Sequence, residues 1–421
     1  MTAHAQRTSF PYAKAGIWVL VWVLTRALIV AQVGFWHPEG PEYQDVTVYE
    51  GWSNWIASTH ILPQENTWQY PPGAGFLMLI PRISGGSYGI SFVVLMLLLD
   101  LVGLWLTTRF AKQEGRDTGV WIWLLAMPML FSLPVLRFDL APTVVAMAAL
   151  LVIHRRPQWF GALAGLGGML KVWPMFVLFA EWDRKRLMRA IGAALVVIAL
   201  IFIASEIAFS ESFRFLTNQG DRGLQVEAVA ASPWELRQVI TGKEPPIAQR
   251  FGTNEIASDL ADAVGKALDL VALAVFAAAA FWWWQRERAI RIGRHELTDI
   301  ALSRDFVFTV VLLFTVVSRV LSPQYLVWMV GLCAIVLTSR RTRVARAAWI
   351  VIGATVLTAG LYQSPANFVI RNTALLAAAI DASVIMLLAV WRPQAAVEAD
   401  PDEHDEPAVL HDGYEKSPKP A

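Results

Sequence analysis

Charged residues are scarce in this chain, at only 16% of 421 residues, whereas an average soluble domain has about 25%. Apolar residues reach 56%, a balance that excludes disorder for the body of the chain and disfavours an ordinary soluble globule. The single cysteine, Cys333, excludes an intramolecular disulfide. The net charge of +1 provides no overall field that would point to nucleic acid.

Common motifs of metal, phosphate and serine-nucleophile chemistry are also missing from the sequence. It contains no HExxH, no Walker A loop and no Gly-x-Ser-x-Gly. The seven histidines are scattered and form no metal-binding pattern with the lone cysteine. Function therefore has to be sought among carboxylates, arginines and aromatic residues.

Long apolar runs, in contrast, recur along the chain. A bilayer core of ~30 Å needs about 20 apolar residues in a helix, and the first run is too long for a signal-peptide core, so we expect a retained anchor. The prediction is an all-α polytopic membrane protein. We place full spans near Ala15–Phe35, Gly89–Phe110, Gly119–Leu136, Leu140–His154, Met188–Phe209, Val264–Trp284, Phe306–Leu321, Gln324–Thr338, Ala347–Tyr362 and Thr373–Trp391.

The apolar segment Trp159–Trp182 is too short for two full crossings. Short cytoplasmic loops of membrane proteins are enriched in arginine and lysine. The arginine clusters of this chain, which include 286–294 and 340–346, are all cytoplasmic only if this segment enters and leaves the membrane on the same face. We therefore predict a hairpin of two short helices, broken near Lys171 and Pro174. A single crossing is the rejected alternative, because it would invert every later loop.

This topology divides the chain into three parts and places both termini in the cytoplasm. Residues 1–14 form the N-terminal segment, and residues 15–391 form the membrane domain, with external loops at 36–88 and 210–263. Residues 392–421 are rich in Asp, Glu and Pro without an apolar face, so we expect a disordered cytoplasmic tail.

Side chains that can do chemistry concentrate on the predicted external side. Because they come from both long loops and from two turns between spans, we expect them to meet at one outer mouth. They are Glu42, Asp45, Tyr49, Glu50, Gln69, Tyr70, Arg137, Asp139, Arg222, Gln225, Glu227, Arg319, Ser322, Gln324 and Tyr325.

Asp45 precedes an amphipathic segment. Val46, Tyr49, Trp52 and Ile56 recur at three- and four-residue steps, which predicts a helix lying on the outer membrane surface. Asp45 is expected either to cap this helix or to act as a general base at the water–lipid boundary.

Three external arginines each allow two interpretations. Arg137 either pairs with Asp139, which then caps the fourth span, or binds a phosphate through its forked guanidinium. Arg222, flanked by glycines, belongs either to an ordinary surface loop or to a ligand site that backbone can approach closely. Arg319 is either an anchor whose head extends to the membrane surface or a further phosphate ligand.

Four charges lie deeper in the apolar spans: Arg26, Asp100, Lys171 and Asp381. Ionisable groups inside a membrane are candidates for function or pairing. We predict an Arg26–Asp100 ion pair between the first two full spans. Lys171, at the hairpin break, either reaches a lipid-phosphate pocket or caps broken helix ends.

Taken in order along the chain, several of these stretches resemble the GT-C superfamily of polyprenyl-phosphate-sugar-dependent glycosyltransferases, and most closely glycosyltransferase family 87. The resemblance covers roughly residues 10–390. It rests on Asp45 ahead of Tyr70-Pro71-Pro72, on Arg137-Phe138-Asp139-Leu140-Ala141-Pro142, on Gly161-Ala162-Leu163-Ala164-Gly165-Leu166-Gly167 leading to Lys171-Val172-Trp173-Pro174, on Arg222-Gly223-Leu224-Gln225-Val226-Glu227 and on Ser322-Pro323-Gln324-Tyr325.

The resemblance implies a GT-C-like bundle of about 10–12 transmembrane helices with a short helical hairpin and two long external loops. It implies that Asp45 is catalytic, although this chain has no second acid adjacent to it. It also implies no metal or other cofactor. Substrate contacts would come from Tyr49, Tyr70, Arg137, Asp139, Lys171, Arg222, Gln225, Glu227, Arg319, Gln324 and Tyr325.

The expected activity is that of an inverting glycosyltransferase in the plasma membrane, acting on its external face. Its partners would be a polyprenyl-phosphate sugar, a lipid or glycan acceptor and membrane lipids, with no nucleic acid. Mannose is the expected sugar and arabinose the alternative. Two rival interpretations are a transporter or lipid flippase, although no internal repeat is visible, and a non-catalytic subunit of envelope assembly.

Overall fold

The computed structural model describes residues 12–34, 44–153, 155–216, 222–292, 299–359 and 364–391. Glu42, residues 1–11 and the predicted tail at 392–421 lie outside the described residues. The described chain is almost entirely helical, with one two-stranded hairpin, which confirms the predicted all-α polytopic class.

The first half of the bundle contains the first apolar helix, the amphipathic helix that follows it and the predicted helical hairpin. Its helices are α1 (Tyr12–Gln32), α2 (Gln44–Thr59), α3 (Gly73–Leu79), α4 (Tyr88–Glu114), α5 (Thr118–Ala126), α6 (Leu133–Leu136), α7 (Leu140–Val152), α8 (Pro157–Leu170) and α9 (Arg184–Ala208). Short 3-10 turns occupy Ile80–Ser84, Pro128–Leu130 and Trp173–Ala180.

The second half begins with the long loop after α9 and ends with five helices that complete the bundle. Its elements are α10 (Ser232–Thr241), β1 (Ile247–Arg250), β2 (Thr253–Ile256), α11 (Asp259–Arg291), α12 (Ile300–Val317), α13 (Tyr325–Val336), α14 (Ala345–Ala359) and α15 (Pro365–Trp391). Two further 3-10 turns, Arg214–Leu216 and Val229–Ala231, lie in the loop.

Among the described residues, six helices are long and apolar enough to cross a membrane: α1, α4, α9, α11, α12 and α15. Five shorter apolar segments, at 73–84, 118–130, 140–152, 325–336 and 345–358, accompany them. The expected 10–12 crossings require these shorter segments to span as well, and that count stays a prediction.

The predicted span Gly119–Leu136 is wrong as a continuous helix. It is divided into α5, a 3-10 turn at Pro128–Leu130 and the four-residue α6. Pro128 and Pro134 each remove a backbone donor, and Phe131 between them has φ +50°. The break allows the chain to turn just before Arg137.

The predicted hairpin at 159–182 is present as α8 and the 3-10 turn Trp173–Ala180, with Lys171 in extended backbone between them. α8 packs closely against α9 because glycines face it. A Cβ at Gly161 would lie 1.9 Å from the Ala190 carbonyl oxygen, and one at Gly165 would lie 2.6 Å from that of Ala194. These glycines of the motif therefore serve helix packing.

The deep charges are paired. Arg26 Nε lies 2.6 Å from Asp100 Oδ2, and Trp22 Nε1 donates to the same oxygen at 2.6 Å. The predicted Arg26–Asp100 pair is thus confirmed, and it joins α1 to α4. Asp381 on α15 pairs with Arg346 on α14.

Candidate active site

Asp45 lies in the first turn of α2, one residue inside the helix. The apolar face predicted for this helix is present, because Val46, Tyr49, Trp52 and Ile56 are all buried. The Asp45 carboxylate, with 38% of its side chain exposed, forms an ion pair with the guanidinium of Arg137. The contacts therefore favour pairing of Asp45 with Arg137 over capping of the helix.

The alternative in which Arg137 pairs with Asp139 is wrong, because each side chain finds its partner on a distant element. Asp139 occupies the position before α7, but its side chain makes no cap hydrogen bond. Its Oδ1 accepts from Lys171 Nζ at 2.6 Å and from Trp328 Nε1 at 2.6 Å. Asp139 thereby joins the hairpin break to α13.

Burial and neighbouring charges shift the pKa of Asp45 in opposite directions. Burial raises the pKa of the Asp45 carboxyl, and the nearby Asp139 raises it further, whereas Arg137 lowers it. Arg137 also donates a hydrogen bond to the hydroxyl of Tyr49. A carboxylate with a raised pKa, held ionised by one guanidinium, has the properties of a general base.

Lys171 is enclosed by aromatic rings. Its Nζ lies 5.6 Å from the ring of Tyr70, 5.0 Å from Phe138, 5.6 Å from Tyr325 and 5.1 Å from Trp328. Four rings at these distances stabilise an ammonium through their negative faces. Lys171 is thus buried among these rings with Asp139 as its ionic partner, and we call this group of rings and charges the floor of the site.

The aromatic residues connect Asp45 to this floor. Tyr49 contacts Phe138 with ring centroids 5.7 Å apart, and Phe138 contacts Tyr70 at 4.9 Å. Tyr325 stacks on Trp328 at 4.0 Å. The predicted residues of the first loop, the turn before α7 and the start of α13 therefore share one site.

The second long loop supplies Arg222 to the same site. Its guanidinium donates to Gln69 Oε1 at 2.9 Å and to Thr253 Oγ1 at 3.1 Å, and Tyr325 and Tyr70 are among its charge neighbours. Burial lowers the pKa of Arg222. Within the described part of the chain, the Arg222 Nε finds no hydrogen-bond partner, and Glu255 Oε1 lies 4.0 Å away.

The β-hairpin holds this loop in place. Val226 N donates to the Asn254 carbonyl at 3.0 Å, and Gln225 N donates to the Arg319 carbonyl at 3.0 Å. Arg319, whose side chain pairs with Asp269 at 3.4 Å, is also a charge neighbour of Arg222. The loop and the turn before α13 are thereby fixed against each other.

Glu227 and Gln225 form a buried pair beside these arginines. Gln225 Nε2 donates to Glu227 Oε2 at 2.7 Å. Burial raises the pKa of Glu227 to about 7, against the opposing charges of Arg371 and Arg137. Glu227 is thus a second titratable carboxyl close to the mouth.

Several buried polar atoms of the site are without a hydrogen-bond partner among the described residues. Two belong to the floor, Asp139 Oδ2 and Trp173 Nε1, and three to the loops above it, Arg222 Nε, Gln225 Oε1 and Gln324 Oε1. Buried polar atoms are normally satisfied. Their concentration here is what a site for a polar ligand would show.

Four residues that contribute to the site were not predicted from the sequence. Trp328 lies one turn after Tyr325 and so shares its helix face, a spacing that would have identified it. Glu255 comes from the β-hairpin, which no motif or periodicity of the sequence indicated. Arg371, with its neighbour Asn372, donates to the Glu227 carbonyl. An arginine on the predicted external side departs from the positive-inside bias and was a usable signal.

Not every predicted residue joins the cluster. Glu50 is a charge neighbour of Tyr88, the first residue of α4. Ser322 is buried in the turn before α13, where its carbonyl accepts from the Tyr325 amide at 2.9 Å. Across the described residues, no group of three or more His, Cys, Asp or Glu side chains is arranged to hold a metal ion.

The fold and the comparison with known families together define a multi-pass membrane glycosyltransferase. The model of glycosyltransferase family 87 matches residues 68–303, more than half of the chain. The chain belongs to glycosyltransferase family 87, which confirms the resemblance seen in the sequence. No curated protein and no solved structure matches the chain. Asp45, Arg319, Gln324 and Tyr325 lie outside the matched range, so their roles depend on geometry alone.

Proposed function

We propose that this glycosyltransferase moves a sugar, expected to be mannose, from a polyprenyl-phosphate donor to a lipid or glycan acceptor. The reaction would occur at the external face of the plasma membrane, with inversion at the anomeric carbon and with both termini cytoplasmic. The observation that carries the proposal is the single site that combines the half-exposed Asp45 carboxylate, paired with Arg137, and the buried guanidinium of Arg222.

Asp45 would act as the general base. Its carboxylate takes the proton of an acceptor hydroxyl, and that oxygen attacks the anomeric carbon through an oxocarbenium-like transition state. The bond from the anomeric carbon to the phosphate oxygen breaks in the same step. One displacement inverts the anomeric centre and needs no covalent enzyme intermediate.

Arg222 is the arginine best suited to the leaving phosphate. Arg137 is committed to Asp45, and Arg319 is paired with Asp269. The two hydrogen bonds of Arg222 go to neutral oxygens, its Nε has no hydrogen bond within the described chain, and its ion pair with Glu255 is long, at 4.0 Å. A buried cation with incomplete pairing stabilises the growing negative charge on a phosphate oxygen.

The external location that we propose favours a lipid-linked donor. Nucleotide sugars are made in the cytoplasm, so an outward mouth needs a donor that reaches it through the membrane. A polyprenyl chain is compatible with the apolar helices around the mouth, while its phosphate and sugar reach the arginines. The arginine clusters at 286–291 and 340–346, opposite the mouth in the predicted topology, support this orientation.

The donor class is tested with the purified full chain in lipid nanodiscs. Radiolabelled polyprenyl-phosphate-mannose and a nucleotide-linked mannose are each supplied with octyl α-mannopyranoside as the acceptor. We expect transfer from the lipid donor alone, and a product whose new bond has the opposite anomeric configuration to the donor. Equal transfer from the nucleotide sugar, or retention of configuration, would contradict the proposal. Movement of lipid without transfer would support the flippase alternative.

A further inference from the structure

A groove of about 400 Å³ runs along the outer side of α2, separate from the cluster around Lys171. One wall is formed by Val48, Gly51, Trp52 and Trp55, and the other by the segment that follows α2, including Gln64 and Glu65. Trp55 is 45% exposed and Val48 41% exposed, so both present apolar surface to the groove.

Gly51 in this wall is unexpected, because glycine is unfavourable in a helix interior. Mid-helix glycines in this bundle are often explained by close packing, as for Gly161 against α9. Gly51 differs, since a Cβ built there meets no atom of the described residues within 4 Å. The bare backbone is thus not required by a contact within the described chain, and it leaves the groove wide enough for a ligand to lie against α2.

The wall of the groove at Val48 lies about one helical turn from Asp45. Val48 and Trp52 follow Asp45 by three and seven residues, so all three lie on the same side of α2. Trp52 also contacts Tyr70, with ring centroids 6.0 Å apart, and Tyr70 belongs to the cage around Lys171. A molecule in the groove would therefore have one end near the Asp45 carboxylate.

The lining chemistry selects the occupant. The seven lining residues include exposed indole surface, an amide and a carboxylate, and none of them carries a positive charge. Such a lining disfavours a phosphate, and the glutamate disfavours an acyl chain. Indole faces pack on the C–H face of a sugar ring, while amide and carboxylate oxygens accept from its hydroxyls.

We propose that the groove along α2 binds a neutral saccharide unit of the acceptor and directs one of its hydroxyls toward Asp45. This inference rests on the proposed function, because it assigns the acceptor side of that transfer. Gly51 leaves space for the sugar ring, Trp55 provides a stacking surface, and Gln64 and Glu65 bind hydroxyl groups.

The test uses an azidophenyl α-mannopyranoside photoprobe on the purified full chain. We expect labelling in residues 44–70, mapped by mass spectrometry and displaced by methyl α-mannopyranoside. Filling the groove by Gly51→Leu, or removing the stacking surface by Trp55→Ala, should reduce labelling about tenfold, the loss expected for one aromatic contact. Gly353→Leu is the matched control, because Gly353 is also an exposed mid-helix glycine with no described atom within 4 Å of a Cβ.

Three results would overturn the inference: no labelling of residues 44–70, equal labelling of Gly51→Leu and the wild type, or displacement by methyl tetradecanoate but not by the mannoside. The last would identify a lipid groove. Failure of the wider proposal is distinguishable, because it appears as absent transfer from polyprenyl-phosphate-mannose by the wild type, whatever the labelling. Gly51→Leu should fold normally, since leucine favours a helix more than glycine does.

Discussion

Replacing Lys171 by methionine is expected to destabilise the protein by about 3–5 kcal/mol, the usual cost of removing one partner of a buried ion pair. Lys171 Nζ lies 2.6 Å from Asp139 Oδ1, and only 10% and 1% of the two side chains are exposed. Methionine retains most of the volume of lysine, so the loss reports charge pairing rather than a cavity. Asp139 would keep one hydrogen bond, from Trp328 Nε1.

The reciprocal change, Asp139→Asn, should cost less. Its amide oxygen still accepts from Lys171 and Trp328, and the ammonium keeps the four rings that surround it. Each ring is worth ~0.5–2 kcal/mol to a desolvated cation. We therefore expect a loss of roughly 1–3 kcal/mol, the cost of an incompletely satisfied buried group. The double variant Lys171→Met with Asp139→Asn should be less destabilised than the sum of the two single variants.

Unfolding of these variants can be measured through the natural cysteine, Cys333. Cys333 is the one cysteine of the chain and is fully buried in α13, so its thiol reacts with a maleimide dye only after unfolding. Denaturation by SDS, followed through the dye, ranks the free energies of unfolding of the wild type and the three variants. A greater loss for Asp139→Asn than for Lys171→Met, or simple addition of the two single effects, would contradict the pairing of Lys171 with Asp139 as the source of the stability.

Three further results are expected. Arg137→Gln removes the charge that lowers the pKa of Asp45, so this pKa should rise. Because the base must be deprotonated, the acid limb of the pH profile of kcat/KM should move to higher pH. An unchanged acid limb would show that Asp45 is not the base. Arg222→Ala should raise the KM for the polyprenyl-phosphate donor about 10- to 100-fold, the worth of a charge-assisted hydrogen bond. Replacement of the exposed Arg237 by alanine should leave this KM unchanged. Equal KM values for the two variants would remove Arg222 from the donor site. Asn372→Leu removes the hydrogen bonds that Asn372 on α15 donates to Ala228 O and Ser232 Oγ, each at 3.1 Å. Because these bonds hold the long loop, tryptic cleavage after Arg222 should become faster without them. An unchanged cleavage rate would show that α15 does not position the loop.

Helix positions were the most predictable part of the molecule, because span length and helical period are local properties of the sequence. The apolar face of α2 and the break at Lys171 each follow from a few adjacent residues. The span at 119–136 was wrongly predicted as one continuous helix, because the prediction depended on its overall hydropathy. Its overall hydropathy is that of a membrane helix, whereas Pro128, Phe131 and Pro134 determine its backbone.

Partners within the site were harder to predict, since ion pairing depends on distances that the sequence does not encode. Arg137 and Asp139 are two residues apart and suggest a mutual pair, yet their partners are 92 and 32 residues away along the chain, at Asp45 and Lys171. The Arg26–Asp100 pair was predictable because two opposite charges in neighbouring apolar spans leave few other partners.

Membership in glycosyltransferase family 87 establishes the class of reaction, and the contacts around Asp45 supply a hypothesis for its chemistry. The family match begins at residue 68, after Asp45. The role of this carboxylate therefore depends on its pairing with Arg137 and on its place beside Tyr49 in the aromatic site.

The most direct test measures donor binding and sugar transfer on the same preparation of Asp45→Asn. Asparagine retains the shape of aspartate but cannot take a proton, so we predict unchanged binding of polyprenyl-phosphate-mannose and a transfer rate at least about 100-fold lower, the usual contribution of a general base. Glu50→Gln, a carboxylate on the same helix, should transfer at the wild-type rate. Wild-type transfer by Asp45→Asn would contradict the account.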